Sequence, residues 1–135
     1  MSESTYRAVV CEELGPPEHL QLKDLSRAPL APGTVRIAIK AAGVNFPDVL
    51  MIQGLYQHKP ELPFVPGLEA AGVVIERAAE VRNVAEGAKV IAQMRTGAYA
   101  EEAVMWATRK VAASANEKPS GVGLSWLAAI TVSSA

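Results

Sequence analysis

At 135 residues the chain is one domain's worth, long enough to bury roughly two-thirds of its unfolded surface. Half of its residues are hydrophobic and a fifth are charged, which suits a globular core and excludes a chain too polar to fold. Thirteen Lys and Arg against fourteen Asp and Glu give a formal charge of −1, with no basic block interleaved with aromatics, so nothing supports nucleic-acid binding.

The sole cysteine, Cys11, excludes an internal disulfide and fits a reducing compartment. It lies in an apolar run, where a buried, inert thiol is expected. The first ten residues lack the charged and apolar regions of a signal peptide. No apolar run approaches the ~20 residues of a membrane-spanning helix. The expectation is a soluble cytoplasmic domain with neither membrane nor nucleic-acid partners.

In chain order, Tyr6 to Cys11 is apolar and β-rich and predicts a first strand. Gly15-Pro16-Pro17 marks a turn. Leu20 to Leu25 alternates with period two, the pattern of a half-buried strand. Val35 to Ala41 alternates most cleanly. Val35, Ile37 and Ile39 fall on one face, and Arg36 and Lys40 on the other.

The period changes after Gly43. Asn45 is placed to cap a helix near 46–53, Pro47 suits its first turn, and Asp48 complements the positive end of its dipole. Val49, Leu50 and Ile52 give it an apolar side, and Gly54 is its stop. Tyr56 to Pro66 is an extended, Pro-rich connector. Ala70 to Arg77 returns as a strand, where Gly72 signals a bulge or a close backbone approach. Ala88 to Met94 and Gly97 to Val104 predict two further strands around a turn at Arg95-Thr96, and Arg109 to Ala112 a weaker one.

From Ser120 onward, Leu124, Leu127, Ala128, Thr131 and Val132 carry helix-like spacing, so residues 120–135 are expected to begin a C-terminal helix. About seven short strands with one small helix predict a mainly β fold, a barrel or closed sandwich.

Much chemistry is missing. With two histidines and one cysteine, no Cys-x-x-Cys or His-x-x-x-His spacing exists, and no metal site is expected. No Gly-x-Ser-x-Gly elbow is present. Gly121-Val122-Gly123 does not follow a strand, and Trp126 stands where a third fingerprint glycine belongs, so it reads as a loop.

Ala41-Ala42-Gly43-Val44-Asn45-Phe46-Pro47-Asp48 begins a series of motifs. It continues through Gly54-Leu55-Tyr56, Lys59 to Phe64, Pro66-Gly67-Leu68-Glu69-Ala70-Ala71-Gly72, Glu86-Gly87-Ala88-Lys89-Val90 and Gly97-Ala98-Tyr99-Ala100-Glu101. In this order they resemble the N-terminal, GroES-like catalytic domain of the medium-chain dehydrogenase/reductase superfamily. The likeness is to its zinc-independent quinone oxidoreductase branch, the zeta-crystallin relatives.

The resemblance implies a partly open β-barrel over residues 1–119. Residues 120–135 would lead toward a nucleotide-binding Rossmann domain, through which a homodimer is the family's expectation. It implies NADPH as hydride donor and a quinone or other conjugated carbonyl as acceptor. In the zinc alcohol dehydrogenases of the same superfamily a cysteine ligand stands where this chain has Asn45, and a histidine ligand where it has Leu68. An amide is a poor Zn²⁺ ligand and leucine is none.

Asn45 and Tyr56 are the catalytic candidates this implies, and Asn45, Phe46, Asp48 and Thr131 the cofactor contacts. Simpler readings stand beside them. Asn45 would serve equally as a plain helix cap, Tyr56 as a packing aromatic, and Asp48 as a first-turn helix residue. Leu50 stands where several quinone reductases carry a second tyrosine. A stand-alone binding or assembly module and a truncated, non-catalytic fragment remain as alternatives.

Overall fold

The computed structural model describes residues 4–107, together with the backbone at 112–113 and 129–131. Strands dominate it: β1 (Thr5–Val10), β2 (Gln21–Ser26), β3 (Thr34–Gly43), one helix α1 (Phe46–Ile52), β4 (Glu69–Arg77), β5 (Lys89–Gln93), β6 (Glu102–Trp106), β7 (Ala112–Ala113) and β8 (Ala129–Thr131). β1 and β2 form an antiparallel pair, and the others a sheet in the order β6-β3-β4-β5-β7, with β8 also on β3. This is the mainly β, open-barrel arrangement expected. No helix among the described residues is long and apolar enough to cross a membrane.

β3 is the spine. One edge pairs with β4 along nearly its whole length; the other takes β6 over Thr34 to Ala38 and β8 over Ala41 to Gly43. The alternation expected of it holds on the core side. Val35, Ile37 and Ile39 are buried there with Val74, Val90, Ala92 and Met105. Each such side chain, fully buried, contributes roughly 1.5–3 kcal/mol of hydrophobic free energy.

On the other face Arg36 is 2% exposed while Lys40 is open to solvent. Its guanidinium donates to Glu76 at 2.9 Å and to the Ala28 carbonyl, and lies 3.9 Å from Glu102. Two carboxylates and a carbonyl replace the water the charge loses, so polar alternation persists without exposure.

Two register shifts interrupt β3 against β4, at Arg36/Ile37 and Ile39/Ala41. Gly72 sits opposite the second, and a Cβ there would strike the Ala38 carbonyl. The close approach expected of this glycine is therefore backbone against backbone.

The strand expected over Gly97 to Val104 begins later, at Glu102. Residues 98–101 are irregular, with bends at Tyr99 and Glu101 and a bridge from Ala100 to Ala8, and bond elsewhere. Tyr99 N–H donates to Pro66 O at 3.0 Å, and Val9 N–H to Tyr99 O at 2.8 Å. A salt bridge from Arg7 to Glu101 (2.8 Å) fastens β1 to the same strip.

A correction is needed near the C-terminus: 129–131 is extended and pairs with Ala41 to Gly43, where a helix was expected. β6 leaves that part of β3's edge unpaired, and Ile130 and Thr131 are β-branched, suited to a strand. The remainder of 120–135, the Gly121-Val122-Gly123 loop and Arg109 to Val111 lie outside the described residues.

Cys11 is 1% exposed. Its Sγ donates to the Glu13 carbonyl at 3.3 Å, and burial pushes the thiol pKa up. As expected, it is an inert core thiol.

Because a Cβ at Gly72 has only backbone to displace, Gly72→Ala is expected to cost about 1–3 kcal/mol. Urea unfolding measures this; an unchanged midpoint would mean that the β3 and β4 backbones are free to move apart at this crossing.

Candidate active site

The candidate site grows from the N-terminus of α1. Asn45 takes the N-cap position with extended backbone (φ −119°, ψ 156°), and Pro47 stands in the first turn. Asp48, the third helical residue, closes a capping box: Asn45 N–H donates to Asp48 Oδ2 at 2.8 Å. Asn45 thus stands at the expected N-cap position, but its side chain makes no cap hydrogen bond: Asp48 N–H donates to the Asn45 backbone carbonyl at 3.0 Å, and the carboxylate half of the box accepts from the chain entering the helix. Gly54, with φ +74°, follows the C-cap residue Gln53 and ends the element.

Asn45 has a second attachment. Its Nδ2 donates to Glu69 Oε1 at 3.1 Å, joining the start of α1 to the start of β4. An amide nitrogen carries two hydrogens, so one remains free for another acceptor. The contact also fixes the amide's orientation, with nitrogen rather than oxygen toward the carboxylate.

Asp48 is 2% exposed, a buried carboxylate at the mouth of a β-barrel. Oδ2 accepts a second hydrogen bond, from the Tyr99 hydroxyl at 2.9 Å, while Oδ1 has no partner among the described residues. Burial raises the Asp48 pKa, a tendency reinforced by Glu69 and opposed by the bonds from Asn45 and Tyr99. The Tyr99 phenol is raised as well, by burial and by donating to a carboxylate. Asp48 therefore faces inward, and its reach to any ligand runs through Asn45.

Tyr99 was not among the residues the sequence singled out for the site, although its motif was visible. It is held on both sides. Besides its backbone bonds, its ring fills the space beside Gly67, where a Cβ would lie 2.8 Å from Tyr99 Cδ1 and 2.6 Å from Ala98 Cβ. Gly67 also has φ +106°, a region L-residues avoid.

Tyr56 lies past the C-terminal end of α1. It packs with Leu20 and Leu68 against the buried group Cys11, Met51, Ile52 and Phe64. It also lines an open cavity of about 450 Å³ with Met51, Leu68, Met94, His58 and Arg95. Met51 is one turn from Asp48 on α1, and Leu68 adjoins Glu69, so sequence neighbours of the buried network line the cavity, while Asn45, Asp48, Glu69 and Tyr99 do not. Phe46 projects from the first turn, 73% exposed, beside the partly exposed Val44. Thr131 is placed only by its backbone, paired with Ala41. Asn45 and Asp48 are thus joined directly, while Tyr56 stands on the adjoining cavity.

Residues 31–124 match the family model for the alcohol dehydrogenase GroES-like domain. The chain belongs to that family. It is 41% identical over 99 residues to the rat protein described as quinone oxidoreductase-like protein 2, covering 73% of this chain and 28% of that one. The chain therefore spans little more than a quarter of that curated relative. Among solved structures, the quinone oxidoreductase of Thermus thermophilus, described also in complex with NADPH, superposes with TM-score 0.60. The two are 35% identical, over 73% of this chain and 29% of that one. A cobalt- and zinc-bound alcohol dehydrogenase of Pyrobaculum aerophilum superposes with TM-score 0.74 at 27% identity, over 84% of this chain and 43% of that one. The GroES-like fold thus serves metal-bound relatives too, and the metal question turns on local donors.

Among the described residues of this GroES-like domain, no three His, Cys, Asp or Glu side chains converge as a metal set. Asn45 is bonded to Glu69, and Leu68 offers only hydrocarbon.

A raised Asp48 pKa has a defined sign in stability. Relative to the unfolded chain, the folded state favours protonated Asp48, so this group's contribution is greatest below the ordinary carboxylate pKa. It is lost as pH rises through the folded value. Subtracting the stability of Asp48→Asn from that of the natural sequence, by urea unfolding from about pH 4 to about pH 7, should give a difference that declines with pH. A difference that rises with pH would mean Asp48 is stabilised as the anion.

Proposed function

We propose that this GroES-like domain is the substrate-side half of an NADPH-dependent, zinc-independent oxidoreductase acting on a quinone or another conjugated carbonyl. A nucleotide-binding domain outside these residues would complete the site. The observation that carries the reading is the clamped Asn45 amide. It is a hydrogen-bond donor held on Glu69 at the start of α1, the helix whose Met51 lines the cavity with Tyr56, Leu68 and Met94.

The residues fit the chemistry they would have to serve. NADPH, when bound, supplies a hydride, and what the protein must add is orientation and stabilisation of charge on the acceptor oxygen. Asn45 Nδ2 holds one hydrogen on Glu69 and presents the other to an acceptor, with no reorganisation needed at the moment of reaction. The Tyr56 hydroxyl, on the cavity wall, is the second donor. Met51, Leu68 and Met94 give a planar apolar acceptor its contact surface and limit competing water. The exposed ring of Phe46 offers an apolar face of the kind a nicotinamide ring covers. Asp48 supports Asn45 from beneath, and Thr131 is the remaining cofactor contact in this reading.

Zinc independence rests on donor chemistry. With an amide at 45 and a hydrocarbon at 68, polarisation of a carbonyl falls to hydrogen-bond donors in place of a Lewis acid. The buried, unpaired thiol of Cys11 supports a cytoplasmic setting.

The test is NADPH oxidation by the polypeptide carrying this domain, with naphthoquinone or an enone as acceptor and with a simple aldehyde for comparison. Quinone or enone reduction unaffected by chelators is expected; reduction of the aldehyde alone, or loss of activity on chelation, would overturn the reading. In the same assay Asn45→Ala should lower kcat/KM by about a hundredfold, the scale of losing one preorganised oxyanion donor.

A further inference from the structure

Two separated motifs meet at Asp48 Oδ2, and a third holds one of them in place. Asn45 and Asp48 come from α1, Gly67 from the turn before β4, and Tyr99 from the strip before β6. Asp48 Oδ2 takes Asn45 N–H at 2.8 Å and the Tyr99 hydroxyl at 2.9 Å. Tyr99 has little freedom to be elsewhere. Its N–H is on Pro66 O, its carbonyl takes Val9 N–H, and its ring lies where any side chain at residue 67 would collide with it. A phenol held this firmly makes a fixed point, and Asp48 relays that point to the backbone of residue 45. Glu69 then fixes the other end of the same residue, through Nδ2.

We propose that Tyr99 is a positioning residue, whose hydroxyl sets the location of Asn45 through Asp48 and so aims the Asn45 amide into the site. The functional consequence rests on the oxidoreductase reading of Asn45; the linkage itself does not.

The alternative role for Tyr99 is plain packing, which its ring could perform without the hydroxyl. The geometry separates the two. Packing needs the ring against Gly67, whereas positioning needs the oxygen on Asp48. Among the described residues Oδ1 of Asp48 has no partner, and both of the carboxylate's bonds are on Oδ2. Removing the phenol leaves, among those residues, Asn45 N–H as its donor, and a buried carboxylate so depleted binds a proton more readily. The groups facing Asp48 are Asn45, Tyr99 and the carboxylate of Glu69.

Tyr99→Phe keeps the ring and removes the oxygen. In ¹⁵N-labelled protein the Asn45 backbone amide reports on Asp48 directly, because it donates to the titrating atom. Its titration midpoint should move to higher pH in Tyr99→Phe, and the Asn45 side-chain NH₂ signals should shift. As a complement that does not depend on the variant folding, 3-fluorotyrosine makes the phenol a stronger donor. It should move the same midpoint to lower pH. Midpoints and NH₂ signals unchanged in both would overturn the proposal and leave Tyr99 as a packing residue.

In the turnover assay Tyr99→Phe should lower kcat about tenfold with KM changed by less than about twofold, the scale of one charge-assisted hydrogen bond. An unchanged kcat in a variant whose Asn45 signals have moved would overturn the aiming role. If the natural sequence reduces no acceptor, the oxidoreductase reading fails, and the two spectroscopic arms still decide whether Tyr99 positions Asn45.

Discussion

The Asp48 carboxylate is the interaction on which the site depends. A carboxylate taken out of water loses solvation worth several kcal/mol unless its oxygens are matched. Here one oxygen is matched twice, by Asn45 N–H and Tyr99 OH, and the other not at all among the described residues. That imbalance constrains its surroundings. Asn45 must cap α1 for its N–H to reach Oδ2, and residues 98–101 must lie off the β3 ladder to bring Tyr99 inward, which fits the late start of β6 at Glu102.

β3 provides the frame that allows it. It is long enough to hold β4 on one edge and both β6 and β8 on the other, and its bulge at Ile39/Ala41 bends the strand just before Gly43. The strand end is thereby delivered beside the start of β4, where Glu69 lies. Gly72 is what lets the two backbones meet so closely at the bend. The core residues on one side of β3 and the buried Arg36 on the other stop it from slipping by one residue, since a slip would exchange them.

The frame was largely legible in the sequence, and the network was not. Period-two alternation marked β2 and β3, and the Asn45-Pro47-Asp48 pattern with Gly54 marked α1, because those signals are local. Alternation placed Arg36 on the face opposite Val35 and Ile37, but it cannot report that the remote acids Glu76 and Glu102 cover that face. The helix-like spacing around Thr131 gave way to a strand at 129–131 because its partner, the free edge of β3 at Ala41 to Gly43, is remote in sequence. Tyr99 was missed as a site residue for a similar reason. Nothing near it in sequence shows that its hydroxyl ends on a carboxylate fifty-one residues away. The signal that could have pointed to it was Gly67, since a glycine between Pro66 and Leu68 permits a close approach to its backbone, here by Ala98 and Tyr99.

The same geometry explains why Glu69 has a place beside Leu68. The negative charge of Glu69 adds to the burial that raises the Asp48 pKa, so alone it would be a poor neighbour for that buried carboxylate. The Asn45 amide resolves this by donating from its side chain to Glu69 and from its backbone to Asp48, one residue serving two acids without bringing in a charge. A thiolate at position 45 could donate nothing to Glu69 and would add a third negative charge, tolerable only with a cation to balance it. The amide at 45 and the hydrocarbon at 68 are therefore one electrostatic solution, and the phenol of Tyr99 belongs to it as the third neutral donor.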